Sequence, residues 1–258
     1  MPLVPDYGKK MFFEENVDVK EALKPDAAYD LGLYREAGND SRGVLVVKTI
    51  LNFKFKEGKS KKTGGTLIWS GAEKSTFMSG VRTSLADKWG EKFRLTTTST
   101  APAIQDIGVT FDVDCRMDMS VFSHSHWNLN IVKADEFLRS FVCGGGGSFI
   151  TNGEVSLDSG DLDWKWGPNS QRAIVHEYGH ILGYRDEYMD NDTKQAQDNP
   201  HWLTDNSSVM NCGEILRPRH YTIFTSWLNK KFAEIARLTK KEIKWKVAGT
   251  HDTTNALL

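Results

Sequence analysis

The residues best suited to do chemistry in this chain are His176, Glu177, His180 and Asp186, in the run His176-Glu177-Tyr178-Gly179-His180-Ile181-Leu182-Gly183-Tyr184-Arg185-Asp186. Residues four apart share one face of an α-helix, so His176 and His180 can aim both imidazoles at a single ion. Glu177 then lies about 100° round the helix, near enough to reach a water activated by that ion and poorly placed to be a third ligand. Gly183 suits a helix stop, because glycine accepts the left-handed backbone that ends helices. Beyond that stop the chain can turn back and bring Asp186 under the metal. Two imidazoles and one carboxylate make a catalytic zinc set with a position left for water. Zinc makes such a water more acidic and polarises a carbonyl; Glu177 can take the proton and return it to a leaving amine. The competing reading is two histidines satisfied inside a core helix. His-Glu-x-x-His arises by chance in a chain this long about once in a hundred, and Gly183 and Asp186 make coincidence rarer still. Glu187 is the alternative carboxylate; the spacing favours Asp186.

The pattern His176-Glu177-x-x-His180-x-x-Gly183-x-x-Asp186 resembles the signature of the metzincin clan of zinc metallopeptidases, in the snapalysin-like variant whose third ligand is Asp rather than His. The resemblance implies a methionine turn beneath the metal. Ser208-Val209-Met210-Asn211 lies at a suitable distance after His180, and Met210 would form the apolar floor. It also implies a peptide substrate paired along an edge strand. By order that edge is the stretch from Ser148, Phe149 and Ile150 to Leu157, with Gly144 to Gly147 as a mobile rim or a plain turn. The tyrosine that follows the methionine by two positions in some metzincins is Cys212 here, so that extra ligand is absent. Tyr188 and Tyr221 are candidates to assist the transition state, with aromatic packing as their alternative. The implied activity is a zinc-dependent endopeptidase with Glu177 as general base. The alternatives are a zinc hydrolase of a non-protein amide, such as a cell-wall crosslink, and a non-catalytic zinc-containing binding module. An intact Glu177 speaks against the last, since a structural site has no need of a base.

The elements that must hold these residues can be read from periodicity. Phe77, Val81, Leu85 and Trp89 recur every four residues and predict a helix over 72–93 with a core stripe. A helix over 171–182 carries the metal residues on one face and Ile174, Val175, Tyr178, Ile181 and Leu182 on the opposite arc. Strands are predicted over 44–47, 50–56, 94–98, 108–113, 127–132 and 148–157, from β-branched, aromatic or alternating runs. A polar irregular stretch covers 186–218, followed by an amphipathic helix over 223–238 and a short strand at 243–247. The order predicts an α+β fold, a metzincin-like mixed sheet backed by two helices, with a mostly irregular lower subdomain and a C-terminal helix. Residues 1–42, polar with short helical hints, are expected to be an N-terminal extension. The metallopeptidase domain then spans 43–258, its upper subdomain 43–183 and its lower one 184–258.

Composition narrows the partners. Of the 258 residues 39% are apolar and 26% charged, which is globular usage rather than disorder. A net charge of −1 encodes no global pull toward nucleic acid or an anionic membrane, and the apolar runs are too short to span a bilayer. The Lys-rich stretch 59–65 is a solvated loop or, less well supported, a polyanion site. Cys115, Cys143 and Cys212 suit buried or surface thiols, or one disulfide and a leftover thiol. His124 and His126 could bind a structural metal, and Asp158, Asp161 and Asp163 near Gly160 could bind calcium; strand packing and a solvated turn are the plainer readings. The expected partner is a protein or peptide substrate, with delivery machinery or an inhibitor protein as further candidates. The start of the chain lacks the basic and apolar segments of a secretory signal. That leaves three expectations: an effector exported by a dedicated system, a mature fragment, or an intracellular processing enzyme.

Overall fold

The computed structural model describes residues 8–18, 28–117, 124–148, 151–164, 170–188 and 202–249. In chain order its elements are strands β1 (Lys10–Val17), β2 (Tyr29–Glu36), β3 (Asn39–Lys56), β4 (Gly58–Lys59) and β5 (Thr66–Leu67), helix α1 (Gly71–Trp89), and strands β6 (Arg94–Thr96), β7 (Asp106–Met117), β8 (Trp127–Val132), β9 (Phe141–Ser148) and β10 (Thr151–Asp158). Helices α2 (Ala173–Ile181), α3 (Thr222–Lys231) and α4 (Ala233–Thr239) and strand β11 (Lys246–Ala248) complete them. The fold is α+β.

One nine-stranded mixed sheet dominates, in the order β11-β6-β7-β3-β8-β10-β9, with β2 and β1 added beside β3. Strand β3 is its axis. Strand β7 lies parallel along one side of it. On the other side β2 pairs with the first half, Leu33 opposite Leu45, and β8 with the second, Trp127 opposite Leu51. The period of two explains the faces: Leu45, Val47, Thr49, Leu51 and Phe53 are fully buried toward the helices. The other face carries polar pairs such as Asn52 Nδ2 donating to Asn128 Oδ1 at 2.9 Å.

Helix α1 starts at a capping box, Ser70 and Glu73 each accepting from the other's backbone N–H. Its stripe Phe77, Val81, Leu85 and Trp89 is buried as predicted. Phe77 meets Phe53 edge-on at 6.5 Å. Helix α2 rests on the same face: Val175, Tyr178 and Leu182 are fully buried, and the Tyr178 hydroxyl bonds Thr49 Oγ1 at 2.8 Å. The two helices join where Trp89 Nε1 donates to the Val175 carbonyl at 3.1 Å.

Several elements differ from the sequence expectation. Residues 10–17 and 29–36 are strands of the main sheet rather than helical turns, and β3 runs straight through the expected boundary at 42/43. The two expected strands at 44–47 and 50–56 are one continuous strand, because both of its sides find partners. The single helix expected over 223–238 breaks at Phe232, whose buried ring wedges between Phe12 and Trp245 at 5.2 and 5.3 Å. The expected edge strand over 148–157 is divided: Ser148 ends β9, Phe149 and Ile150 lie outside the described residues, and β10 sits one place in from the edge. The outermost strand is β9, which contains the tetraglycine and pairs antiparallel with β10. Of the expected loop over 59–65, residues 61–65 form an exposed turn between β4 and β5, while Lys59 belongs to β4 and Ser60 is buried. Among the described residues no helix is long and apolar enough to cross a membrane.

Candidate metal centre

Helix α2 ends in a motif that sets the site. Gly183 has φ +101°, its N–H donates to the His180 carbonyl at 3.0 Å, and the Tyr184 N–H donates to the Gly179 carbonyl at 2.9 Å. That pair of bonds is a Schellman stop, and a residue with a Cβ is strained at such a φ. The reversal leaves the Tyr184 carbonyl facing back toward the helix, where His180 Nδ1 donates to it at 2.8 Å. His176 Nδ1 donates in the same way to the Val209 carbonyl at 2.9 Å. A carbonyl only accepts, so both Nδ1 atoms carry hydrogen and both Nε2 atoms of the neutral rings present lone pairs.

Those lone pairs converge on a carboxylate. Asp186 Oδ1 lies 3.0 Å from His176 Nε2 and 3.2 Å from His180 Nε2. Three acceptors held this close repel one another unless a cation lies among them, whether added protons or a metal ion. Ligand atoms about 2.0–2.1 Å from a tetrahedral zinc stand about 3.3 Å apart, so the observed spacing suits that ion. Among the described residues this is the one group of three or more His, Cys, Asp or Glu side chains placed to hold a metal. Burial alone would raise the Asp186 pKa; the two imidazoles hold it far below the usual carboxylate range. Burial alone would lower that of His180; the hydrogen bond and charge of Asp186 raise it.

Glu177 is buried on α2 beside the two histidines, and burial pushes its pKa above the ordinary value. Among the described residues its Oε2 has no hydrogen-bond partner. An unsatisfied buried carboxylate oxygen is costly, and a reacting water would satisfy it. Glu187 points elsewhere: its carboxylate grips Arg219 at 2.6 and 2.6 Å and is pulled down to a pKa of about 2, the Arg219 and His220 bonds overcoming the effect of burial.

The methionine segment lies directly beneath. Met210 is fully buried, and a Cβ built on Gly179 would overlap its Sδ and stand 3.0 Å from its Cε. The glycine between the two histidines is therefore what lets the thioether reach the helix. Gln171 Nε2 holds the same turn by donating to the carbonyls of Val209 at 2.8 Å and Gly213 at 2.6 Å. The turn is further fixed by Glu214, whose buried carboxylate accepts from the Arg172 N–H at 2.7 Å and from both arms of its guanidinium at 2.9 and 2.9 Å. Sequence reasoning missed Gly179, Gln171 and Glu214. Only Gly179 carried a signal, since glycine inside a helix needs a packing reason.

Of the two tyrosines, Tyr188 stacks on His176 with ring centroids 6.0 Å apart and hydrogen-bonds Asp186. Tyr221 is fully buried away from the imidazoles, its hydroxyl donating to the Trp89 carbonyl. The remaining candidates are structural. His126 is buried where β2 gives way to β8, accepting from the Ile50 N–H at 2.8 Å and bonding Asp30 Oδ1 through Nε2 at 3.1 Å. His124 joins it only by ring contact at 5.0 Å, with no ligand set around the pair among the described residues. Asp158 and Asp161 are buried rather than solvated. Asp158 accepts from the Gly160 and Leu138 N–H groups at 2.6 and 3.1 Å, Asp161 from the Asp158 N–H at 2.7 Å. Cys115 is buried, which pushes its thiol up to about 12, and Cys212 is exposed; neither is in a disulfide. The side chain of Cys143 lies outside the described part. Comparison of the chain with protein-family models, curated proteins and solved structures finds no match.

Proposed function

We propose that this chain is a zinc-dependent endopeptidase of metzincin-like type, with His176, His180 and Asp186 as metal ligands, Met210 beneath them and Glu177 as general base. The observation that carries the reading is the convergence of two tautomer-fixed Nε2 lone pairs on Asp186 Oδ1, 3.0 and 3.2 Å away, next to a buried carboxylate with one oxygen unpartnered among the described residues. The second nitrogen of each ligating histidine bonds a backbone carbonyl, the arrangement that orients imidazoles in metal sites.

A zinc ion held there would supply Lewis acidity to a water and to the scissile carbonyl. Glu177 does the proton work. Its raised pKa brings it closer to the range where a carboxylate takes a proton from water and releases it to the leaving amine. Asp186 adds negative charge to the ligand set, so the activated water is less acidic than with three neutral imidazoles. Among the described residues the outer edge of β9, beside α2, pairs with no further strand, so its backbone groups would be open to an extended peptide. A non-catalytic zinc module is disfavoured, because a structural site gains nothing from a buried unsatisfied carboxylate.

The experiment that tests this is digestion of a cell lysate by wild type and Glu177→Ala, with new amino termini sequenced, alongside elemental analysis of both proteins. Wild type is expected to carry about one zinc per chain and to generate termini that the variant and a chelated control do not. A protein that takes up no zinc, or a variant that cleaves like wild type, overturns the assignment.

A further inference from the structure

Residues 184–188 are neither helix nor strand, so no periodic backbone places the Asp186 carboxylate. Its neighbour Glu187 is anchored instead. The Glu187 N–H donates to the Met210 carbonyl at 2.7 Å, and its own carbonyl accepts from Asn211 Nδ2 at 3.0 Å. Its buried carboxylate takes both arms of Arg219 and faces His220 Nε2 at 3.2 Å. Arg219 is in turn bonded to Asp205 Oδ2 at 2.8 Å and lies over the Trp202 ring at 5.3 Å. The turn that carries it, Pro218–Tyr221, is tied toward the metal helix, since the Tyr184 hydroxyl donates to the His220 carbonyl at 2.5 Å.

We propose that Glu187 is a positioning residue: its ion pair with Arg219 fixes the Asp186 segment and so sets the affinity of the site for its divalent metal, neither residue touching the ion. The inference rests on the metal reading above. A buried Arg–carboxylate pair adds little stability over an apolar pair of the same shape. What a two-pronged fork does supply is geometry. Asp186 and Glu187 are consecutive and diverge, one to the imidazoles and one to Arg219, so holding the second fixes the direction of the first. Ligand sets lose function when supporting groups let them drift by about 1 Å. The Met210 and Asn211 bonds make the third ligand and the methionine turn one unit, braced against residues 205–221.

The test is calorimetric titration of Zn2+ into chelator-stripped wild type, Glu187→Gln, Arg219→Lys, Arg219→Gln and the double variant Glu187→Gln/Arg219→Gln, with the melting temperature of each apo protein recorded. Glu187→Gln and Arg219→Gln are expected to bind zinc about 10–100-fold more weakly than wild type, the usual effect of losing an outer-shell partner. Arg219→Lys, which keeps the charge and loses the fork, should fall between. The double variant should be no weaker than the worse single one. Visible spectra of the Co2+-loaded proteins should show altered d–d bands in the same variants. Unchanged zinc affinity in Glu187→Gln, whatever happens to its apo melting, overturns this inference alone; if that variant does not fold, unchanged affinity in Arg219→Lys does the same. A wild type that binds no zinc overturns the metal reading, and this inference with it.

Discussion

At the scale of single residues, the site turns on which atoms are left free to meet a cation. His176 and His180 give their Nδ1 hydrogens to backbone carbonyls, so the Nε2 lone pairs of the neutral rings point at Asp186, and an added proton or a metal ion must join them. Roles then separate by substitution. Glu177→Ala is expected to keep its zinc and to lose about 10²–10⁴-fold in kcat, the usual contribution of a positioned base; elemental analysis and a peptide assay on one preparation check both halves. Asp186→Ala should lose zinc, and Asp186→His should recover part of the affinity, since imidazole is also a zinc ligand. Equal zinc affinity in Asp186→Ala and wild type would remove Asp186 from the ligand set. That His176, Glu177, His180 and Asp186 come together was legible because side-chain type and spacing encode it. The carbonyls of Val209 and Tyr184 were not, because every residue has a carbonyl and only the folded chain says which one turns inward.

At the scale of elements, helix α2 and the methionine turn fit through one glycine. Gly179→Ala should gain roughly 1 kcal/mol in helix propensity and lose more by overpacking, so a net destabilisation of about 1–2 kcal/mol is expected. Met210→Ala alone leaves a cavity, and the pair Gly179→Ala/Met210→Ala should be less destabilised than the two singles add up to. Urea unfolding of the four proteins checks this, and strict additivity would mean that the two groups do not touch. The junction of β2 with β8 is held by His126 and Asp30. Burial alone would raise the Asp30 pKa, but bonds from His126 and the Asn16 N–H hold it below the ordinary value. A depressed carboxylate stabilises the fold above its unfolded pKa of about 4 and ceases to as pH falls through the lower folded value. Asp30→Asn should therefore destabilise at pH 7, with the gap to wild type closing in acid. A gap that persists at low pH would assign the effect to shape rather than charge. The helices and central strands were legible from apolar periodicity. Strand β10 falls, but for Asp158, within the strand expected over 148–157, but β9 was not legible, since four consecutive glycines give no pattern to read, and β1 was not, because as an outer strand it buries little beyond Val17.

At the scale of the whole molecule, the proposed metal would add a cross-link between parts of the chain that already share a core, Met210 lying against Gly179 and Tyr221 bonding Trp89. Two ligands stand on α2, which is locked to the sheet by Tyr178 and to α1 by Trp89. The third stands on the irregular segment that Glu187 ties to the methionine turn and to residues 205–221. That lower region is mostly irregular; buried Val209, Met210, Leu216 and Tyr221 join it to the core, and ion pairs such as Arg217–Asp205 and Arg219–Glu187 hold its geometry more than they add stability. Zinc bound only by the folded chain should stabilise it by about 4 kcal/mol when free zinc exceeds Kd about a thousandfold. For a chain of this size each kcal/mol shifts Tm by about 2–4 °C, so chelation should lower the melting temperature by about 8–16 °C. The same shift is expected in Glu177→Ala, whose ligands are intact, and none in Asp186→Ala, which should already melt near the temperature of the stripped wild type. Calorimetric scans with and without chelator, on samples whose zinc content is measured, check all three. Melting that stays put while zinc is lost would mean that the lower region holds its shape unaided, and that the convergence of His176, His180 and Asp186 is built by the chain before any ion arrives.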